Sequence, residues 1–242
     1  MSPRRSLVLV AALLAAASAW FLREPLRRAV HPLTLAMGAR ATIDERVAEY
    51  GPGAHARLAP DLERVALTWP PQSLVLVGLK RERELRVFAN DGSGARLLRT
   101  YPVLAASGAS GPKLREGDRQ VPEGEYGIEA LNPNSRFHLA LRVAYPNAAD
   151  LEQAHIDGRT ELGSDIMIHG GSASIGCLAL GDEAIEELFV LAAATGIERV
   201  RVLLCPHDLR VAAPPAEVVA AQPWMAARYA ELASRLRELP DR

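Results

Sequence analysis

Two residues that can do covalent chemistry, His169 and Cys177, close the two ends of a run of small residues, HGGSASIGC. A thiol beside an imidazole can lose its proton, and the thiolate is the nucleophile. The apolar triplet Ile166-Met167-Ile168 leads into the histidine and reads as a short buried strand ending there. Gly170, Gly171, Ser172, Ala173 and Ser174 then make a turn with almost no side-chain bulk. Such a turn brings Cys177 back beside the strand end. The backbone N–H groups of Ile175, Gly176 and Cys177 are placed to converge on a carbonyl oxygen as an oxyanion hole, with Ser174 and Gly176 shaping that loop. The chemistry expected is nucleophilic acyl transfer: Cys177 as nucleophile, His169 as proton acceptor and donor. A backbone carbonyl of Gly170 or Gly171 would orient the imidazole, with Asp165 as a carboxylate alternative. Each residue alone has a plainer reading, a buried small hydrophobe for the cysteine and a carbonyl-bonded core group for the histidine.

The rest of the chain must hold this pair. Its 242 residues are 49% apolar and 24% charged, enough for one substantial core with extensions. A net charge of -1, with no basic stripe, excludes nucleic acid as an expected partner. Two cysteines make neither a disulfide framework nor a cysteine-rich zinc site, although a Cys177–Cys205 disulfide is a structural rival. His169, Cys177 and Asp182 are metal-ligand types without a recognised zinc spacing, so no metal is expected. No nucleotide-binding glycine pattern is present, and no cofactor is expected.

Four segments are expected. Residues 1–22 carry Arg4 and Arg5 before an uncharged run from Ser6 to Leu22. This reads either as a cleaved export signal with a small-residue site at Ala17-Ser18-Ala19, or as a short membrane anchor. Both place the remainder outside the cytoplasmic membrane, in the periplasm or on the membrane's outer face. Residues 23–72 read as a stalk with a helix somewhere in Leu33 to Tyr50, broken at Tyr50-Gly51-Pro52-Gly53. His31 and His55 are expected to face solvent there. Residues 73–205 alternate as short strands with glycine and proline turns, and a helix follows the cysteine, with Asp182 as its expected N-cap and Gly196 at its end. That predicts a mainly β domain with α, a sandwich or barrel-like sheet. Residues 206–242 read as a linker and a C-terminal helix.

With those residues in place, the domain resembles the L,D-transpeptidase catalytic domain, the YkuD-like family of bacterial cell-wall enzymes. Ile168-His169-Gly170 and Ser174-Ile175-Gly176-Cys177 carry the likeness. Pro112-Lys113, Gly117-Asp118, Pro122-Glu123-Gly124-Glu125-Tyr126, Phe137-His138 and Tyr145-Pro146-Asn147 extend it. Two departures stand out. Ile175 replaces the histidine of the family's Ser-His-Gly-Cys, and Leu178-Ala179-Leu180 stands where an arginine is common. Ile175 and a spacer shorter than the family's usual one resemble the branch that includes hydrolases releasing wall-bound lipoprotein. The resemblance implies a mixed β-sandwich of the L,D-transpeptidase type with a helix after the catalytic cysteine. It implies a thioester on Cys177 and peptidoglycan stem peptides as partners. The stems' carboxylates make Lys113, Arg119, Arg136 and Arg142 candidate substrate-binding cations, with Ser172 beside them. Three outcomes are open at this point: crosslinking or attachment by an amine acceptor, release by water, and wall binding without catalysis.

Overall fold

The strand Ser73–Leu79 (β1) is apolar on both faces, and the fold uses both. In the computed structural model, which describes residues 40–172 and 176–241, Leu74 and Leu76 enter one core while Val75, Val77 and Leu79 enter another. A strand buried on both faces reads as a continuous hydrophobic run, and β1 does.

The remaining strands are β2 (Glu84–Asn90), β3 (Ala95–Pro102), β4 (Ala105–Ala106), β5 (Gly124–Ser135), β6 (His138–Val143), β7 (Met167–His169), β8 (Leu178–Ala179) and β9 (Val200–Cys205). They form one nine-stranded mixed sheet in the order β3-β2-β1-β9-β5-β6-β7-β8-β4. The β1–β9 and β7–β8 pairs are parallel and the others antiparallel. Strand β5 joins the halves. Its first residues, Gly124 to Gly127, pair with β9, and from Ile128 onward it pairs with β6. The register shifts between Ile128 and Ala130, at the change of partner. The larger core holds Leu74, Leu76 and Val202 from one half and Leu139, Leu141, Ile168 and Leu178 from the other.

Five helices complete the described chain: α1 (Ile43–Arg64), α2 (Ala148–Ile156), α3 (Asp182–Thr195), α4 (Ala216–Ala221) and α5 (Met225–Arg237). Helix α3 follows the cysteine as expected and buries Ile185, Leu188 and Phe189 in the larger core. Gly196 closes it at φ +91°. Its N-cap is Gly181, not Asp182, whose side chain is engaged elsewhere. Helix α5 lays Met225, Tyr229, Leu232 and Leu236 on the second core, so the C-terminal helix packs on the domain.

The stalk expected over 23–72 is corrected for its second half. Helix α1 starts at a reciprocal Thr42–Glu45 capping box and runs without a break through Pro52 and Pro60. An interior proline removes a hydrogen bond and crowds the preceding turn, costing about 3 kcal/mol. Tertiary packing outweighs that: Ala54, Leu58 and Leu62, four residues apart, make one buried stripe against the domain. His55 is exposed as expected and meets Trp69 edge to face at 5.1 Å between ring centres. The export segment, His31 and the helix expected from Leu33 lie outside the described residues, apart from the part of that helix within α1. No described helix is long and apolar enough to cross a membrane.

Candidate active site

Strand β7 ends on His169, and β8 begins one residue after Cys177. The two strands pair in parallel, Ile168 with Leu178 and His169 with Ala179. Extending that register by one residue puts Cys177 opposite Met167. Side chains two apart on a strand share a face, so Cys177, Met167 and His169 look the same way while Ile168 and Leu178 fill the core. The register thus sets Cys177 and His169 toward one face of the β7–β8 pair.

The imidazole is tightly held. Its Nδ1 lies 2.6 Å from the Gly170 carbonyl oxygen, so Nδ1–H donates there and Nε2 keeps its lone pair. Phe137, in the turn between β5 and β6, stacks on the ring at 4.6 Å with planes 25° apart. His169 is only 2% exposed, whereas Phe137 is 40% exposed, so Phe137 roofs the ring against solvent. Burial pushes the His169 pKa down, opposed by the Gly170 hydrogen bond. The thiol of Cys177 donates to the Asp165 carbonyl at 3.6 Å. Burial pushes its pKa up, and the Asp165 charge adds to this. The Met167 amide and Lys113 pull it back only in part.

These two directions give one result. Both shifts favour the uncharged forms of the pair, a thiol and a neutral imidazole. Native Cys177 is therefore expected to react slowly with iodoacetamide at pH 7, its rate still climbing above the ordinary thiol range. A fast, flat profile from pH 6 to 8 would mean a preformed thiolate instead. The same geometry sets the acid side. A base with a depressed pKa stays unprotonated to lower pH, so the acid limb of kcat/KM is expected below the ordinary histidine value of about 6.5.

The loop between the pair is fitted closely. A Cβ on Gly170 would fall 2.6 Å from the Phe137 carbonyl oxygen and 2.7 Å from Asp182 Oδ1. Gly171 has φ +66° and donates its N–H to Asp182 Oδ1 at 2.7 Å. Gly176 has φ +90°, and its N–H goes to Ser107 Oγ, which in turn donates to the Arg119 carbonyl at 2.8 Å. The Gly176 amide expected in the oxyanion hole is thus engaged by Ser107. Ala173, Ser174 and Ile175, the rest of that loop, lie outside the described residues.

The candidate cations separate into two groups. Lys113 is buried and committed: its Nζ reaches Asp118 Oδ1 at 2.7 Å and the Arg115 carbonyl at 2.9 Å. Asp118 also accepts from the N–H groups of Leu114, Arg115 and Gln120. Burial opposes its charge, but Lys113 and these amides outweigh it and hold the pKa below the usual carboxylate value. This clamp shapes the 107–120 loop and engages the Lys113 ammonium within the protein. Arg142 sits between Glu129 and Asp165, 3.1 Å from each carboxylate, and is likewise paired. The Asp165 carboxylate is paired there, and the group bonded to the imidazole Nδ1 is the Gly170 carbonyl. Arg119 and Arg136 are exposed, and neither has an ion pair among the described residues. Arg119 lies on the backbone stretch facing Gly176, and Arg136 precedes Phe137. Ser172 is exposed at the loop. Cys205 is buried in the second core, and neither it nor Cys177 is in a disulfide, so the disulfide rival is gone. Phe137, Ser107 and Asp182 were not read as parts of the site. Their contacts join segments far apart in the chain, which no local spacing displays.

A histidine ends one strand and a cysteine immediately precedes its parallel neighbour in a mixed sheet, with a helix after the cysteine. Residues 72–202 match the family model of the YkuD L,D-transpeptidase catalytic domain, and the chain belongs to that family of peptidoglycan-related enzymes. It is 38% identical over 112 residues to YafK of Escherichia coli (strain K12), itself provisionally assigned as an L,D-transpeptidase. That match covers 46% of this chain, and the chain spans less than half of the relative, 43%. Among solved structures, the helical cell shape determining protein Pgp2 of Campylobacter jejuni shares 24% identity at a TM-score of 0.44, over 62% of this chain and 55% of that one. L,D-transpeptidase 1 of Mycobacterium tuberculosis shares 18% at 0.32, over 55% and 62%.

Proposed function

We propose that this chain is a cysteine acyltransferase acting on peptidoglycan stem peptides through a thioester on Cys177. The observation that supports it most is the Nδ1–Gly170 hydrogen bond, which leaves His169 Nε2 as the base on the face shared with the thiol. The Cys177 proton passes to Nε2 as Sγ bonds the amide carbonyl carbon. The carbon–nitrogen bond then breaks, the imidazolium proton goes to the leaving amine, and a thioester remains. An incoming amine or water gives its proton to His169 and attacks the thioester. Sulfur leaves as thiolate and recovers the proton from the imidazolium. An amine acceptor crosslinks stems or attaches protein to them. Water releases a stem or a wall-bound lipoprotein. Such a substrate lies outside the cytoplasmic membrane, and residues 1–22 supply the export signal or the membrane contact.

Arg119 and Arg136 are the cations free to meet the stem's carboxylates. Each Ala variant is expected to raise KM about tenfold with kcat little changed, the effect of losing one charge-assisted hydrogen bond. Unchanged KM in both variants would move recognition elsewhere. The class of reaction is tested by mass spectrometry of products from defined muropeptides, with and without an acceptor amine. New crosslinks identify transfer, and net release identifies hydrolysis. No product and no acyl adduct on the wild-type protein would leave a wall-binding module.

A further inference from the structure

The peptide group between Gly170 and Gly171 is bonded at both ends. Its carbonyl accepts from His169 Nδ1 at 2.6 Å, and its N–H donates to Asp182 Oδ1 at 2.7 Å. We propose that Asp182 is the positioning residue of this site, a carboxylate that acts on the imidazole through one intervening peptide rather than by touching it. The inference rests on the pairing of His169 with Cys177 described above.

Three features support it. First, the approach is built: a Cβ on Gly170 would lie 2.7 Å from Asp182 Oδ1, so only glycine lets the carboxylate come this close. Second, Gly171 is tied twice to the start of α3, because its carbonyl also accepts from the Gly181 N–H at 3.0 Å. The peptide plane is therefore set by the helix rather than by the loop. Third, a carboxylate on the N–H polarises the peptide and strengthens the carbonyl as an acceptor, since hydrogen bonds in a chain reinforce one another. The result is a fixed Nδ1–H tautomer, the service that a directly bonded aspartate gives in a serine triad.

Most other charged groups near the site have other partners. Glu186 on α3 meets His138 on β6 at 3.0 Å and Arg57 on α1 at 3.1 Å. Arg142 on β6 is held by Glu129 and Asp165, and Lys113 on the 107–120 loop by Asp118. Glu183 on α3 reaches Arg57 at 3.3 Å. Arg119 and Arg136 are exposed at the rim. Among the described residues, Asp182 is the one charged group bonded to the peptide that orients the ring.

The test compares Asp182→Ala with Asp182→Asn, whose amide oxygen can still accept from Gly171. Imidazole nitrogen NMR on the full chain, without any wall substrate, reads the tautomer. Muropeptide turnover reads the consequence. Loss of the Nδ1–H tautomer preference is expected in the Ala variant, with kcat down about tenfold at unchanged KM, the size of effect typical of groups one bond removed from the reacting ones. The Asn variant is expected to recover most of both. Asp182→Ser, which keeps an oxygen at the helix start but is too short to reach the loop, is expected to behave like Ala and guards against a folding defect. A wild-type imidazole spectrum in the Ala and Ser variants would overturn the proposal. So would equal losses in all three variants accompanied by lowered thermal stability. Absence of any turnover in the wild-type protein would count against acyl transfer while the NMR comparison still decided the role of Asp182.

Discussion

Replacing Cys177 by alanine is expected to abolish product formation from muropeptides, a loss of about 10⁴-fold or more, with the melting temperature nearly unchanged. The size follows from the role. A nucleophile that carries the covalent intermediate has no substitute in the site, and removing one costs as much as removing its whole catalytic group. The unchanged stability follows from the position. Cys177 is half-buried and belongs to neither hydrophobic core. His169→Gln provides the matching half of the experiment. It is expected to lower turnover by 10²–10⁴-fold, the usual worth of a general base. With burial favouring the uncharged forms of both groups, the same variant should leave the alkylation profile of Cys177 close to that of the wild type. A preformed ion pair predicts the opposite, since losing the imidazolium would shift the thiol strongly. Full activity in Cys177→Ala would dismiss the sulfur as nucleophile altogether.

The pair was legible because its signal is local. Eight positions, small residues and one short apolar run lead to the expectation of a thiol near an imidazole, and the β7–β8 register turns both residues to one face. The strands of 73–205 and the helix after the cysteine were legible for the same reason, through alternation and turn residues. Partners distant in sequence were not. Nothing near Arg142 shows that Asp165, 23 positions later, will return beside it. Asp182 looked like a helix cap because an acidic residue at a helix start has that ordinary use. Its carboxylate instead reaches back to Gly171, eleven positions earlier. The proline and glycine pair at Gly51-Pro52 misled in the other direction. Local propensity called for a break, and a stripe of buried leucines overrode it.

That override carries the second large effect, on stability. Glu187 of α3, its side chain 3% exposed, binds Arg57 of α1 at 2.6 Å, Arg99 of β3 at 2.6 Å and the Tyr101 hydroxyl at 2.7 Å. Arg99 also reaches Asp61 of α1 at 2.6 Å. Glu187→Ala removes the anion at the centre and leaves two guanidinium groups and a phenol facing each other. Breaking a buried pair in this way costs about 3–5 kcal/mol. The lower end is expected here, because Arg57 keeps Glu183 and Glu186 and both arginines are partly open to water. For a domain of this size about 3 kcal/mol corresponds to a fall of roughly 6–12 °C in melting temperature. Glu187→Gln, which still accepts hydrogen bonds, should lose about half as much. The defect has a location as well as a size. Leu58 and Leu62 supply the attraction between α1 and the domain, and the charge cluster fixes where the helix docks. Hydrogen exchange in Glu187→Ala should therefore accelerate first across residues 43–64, ahead of β1 and β9. Uniform acceleration through the sheet would show that the cluster supports the whole core rather than the seat of α1.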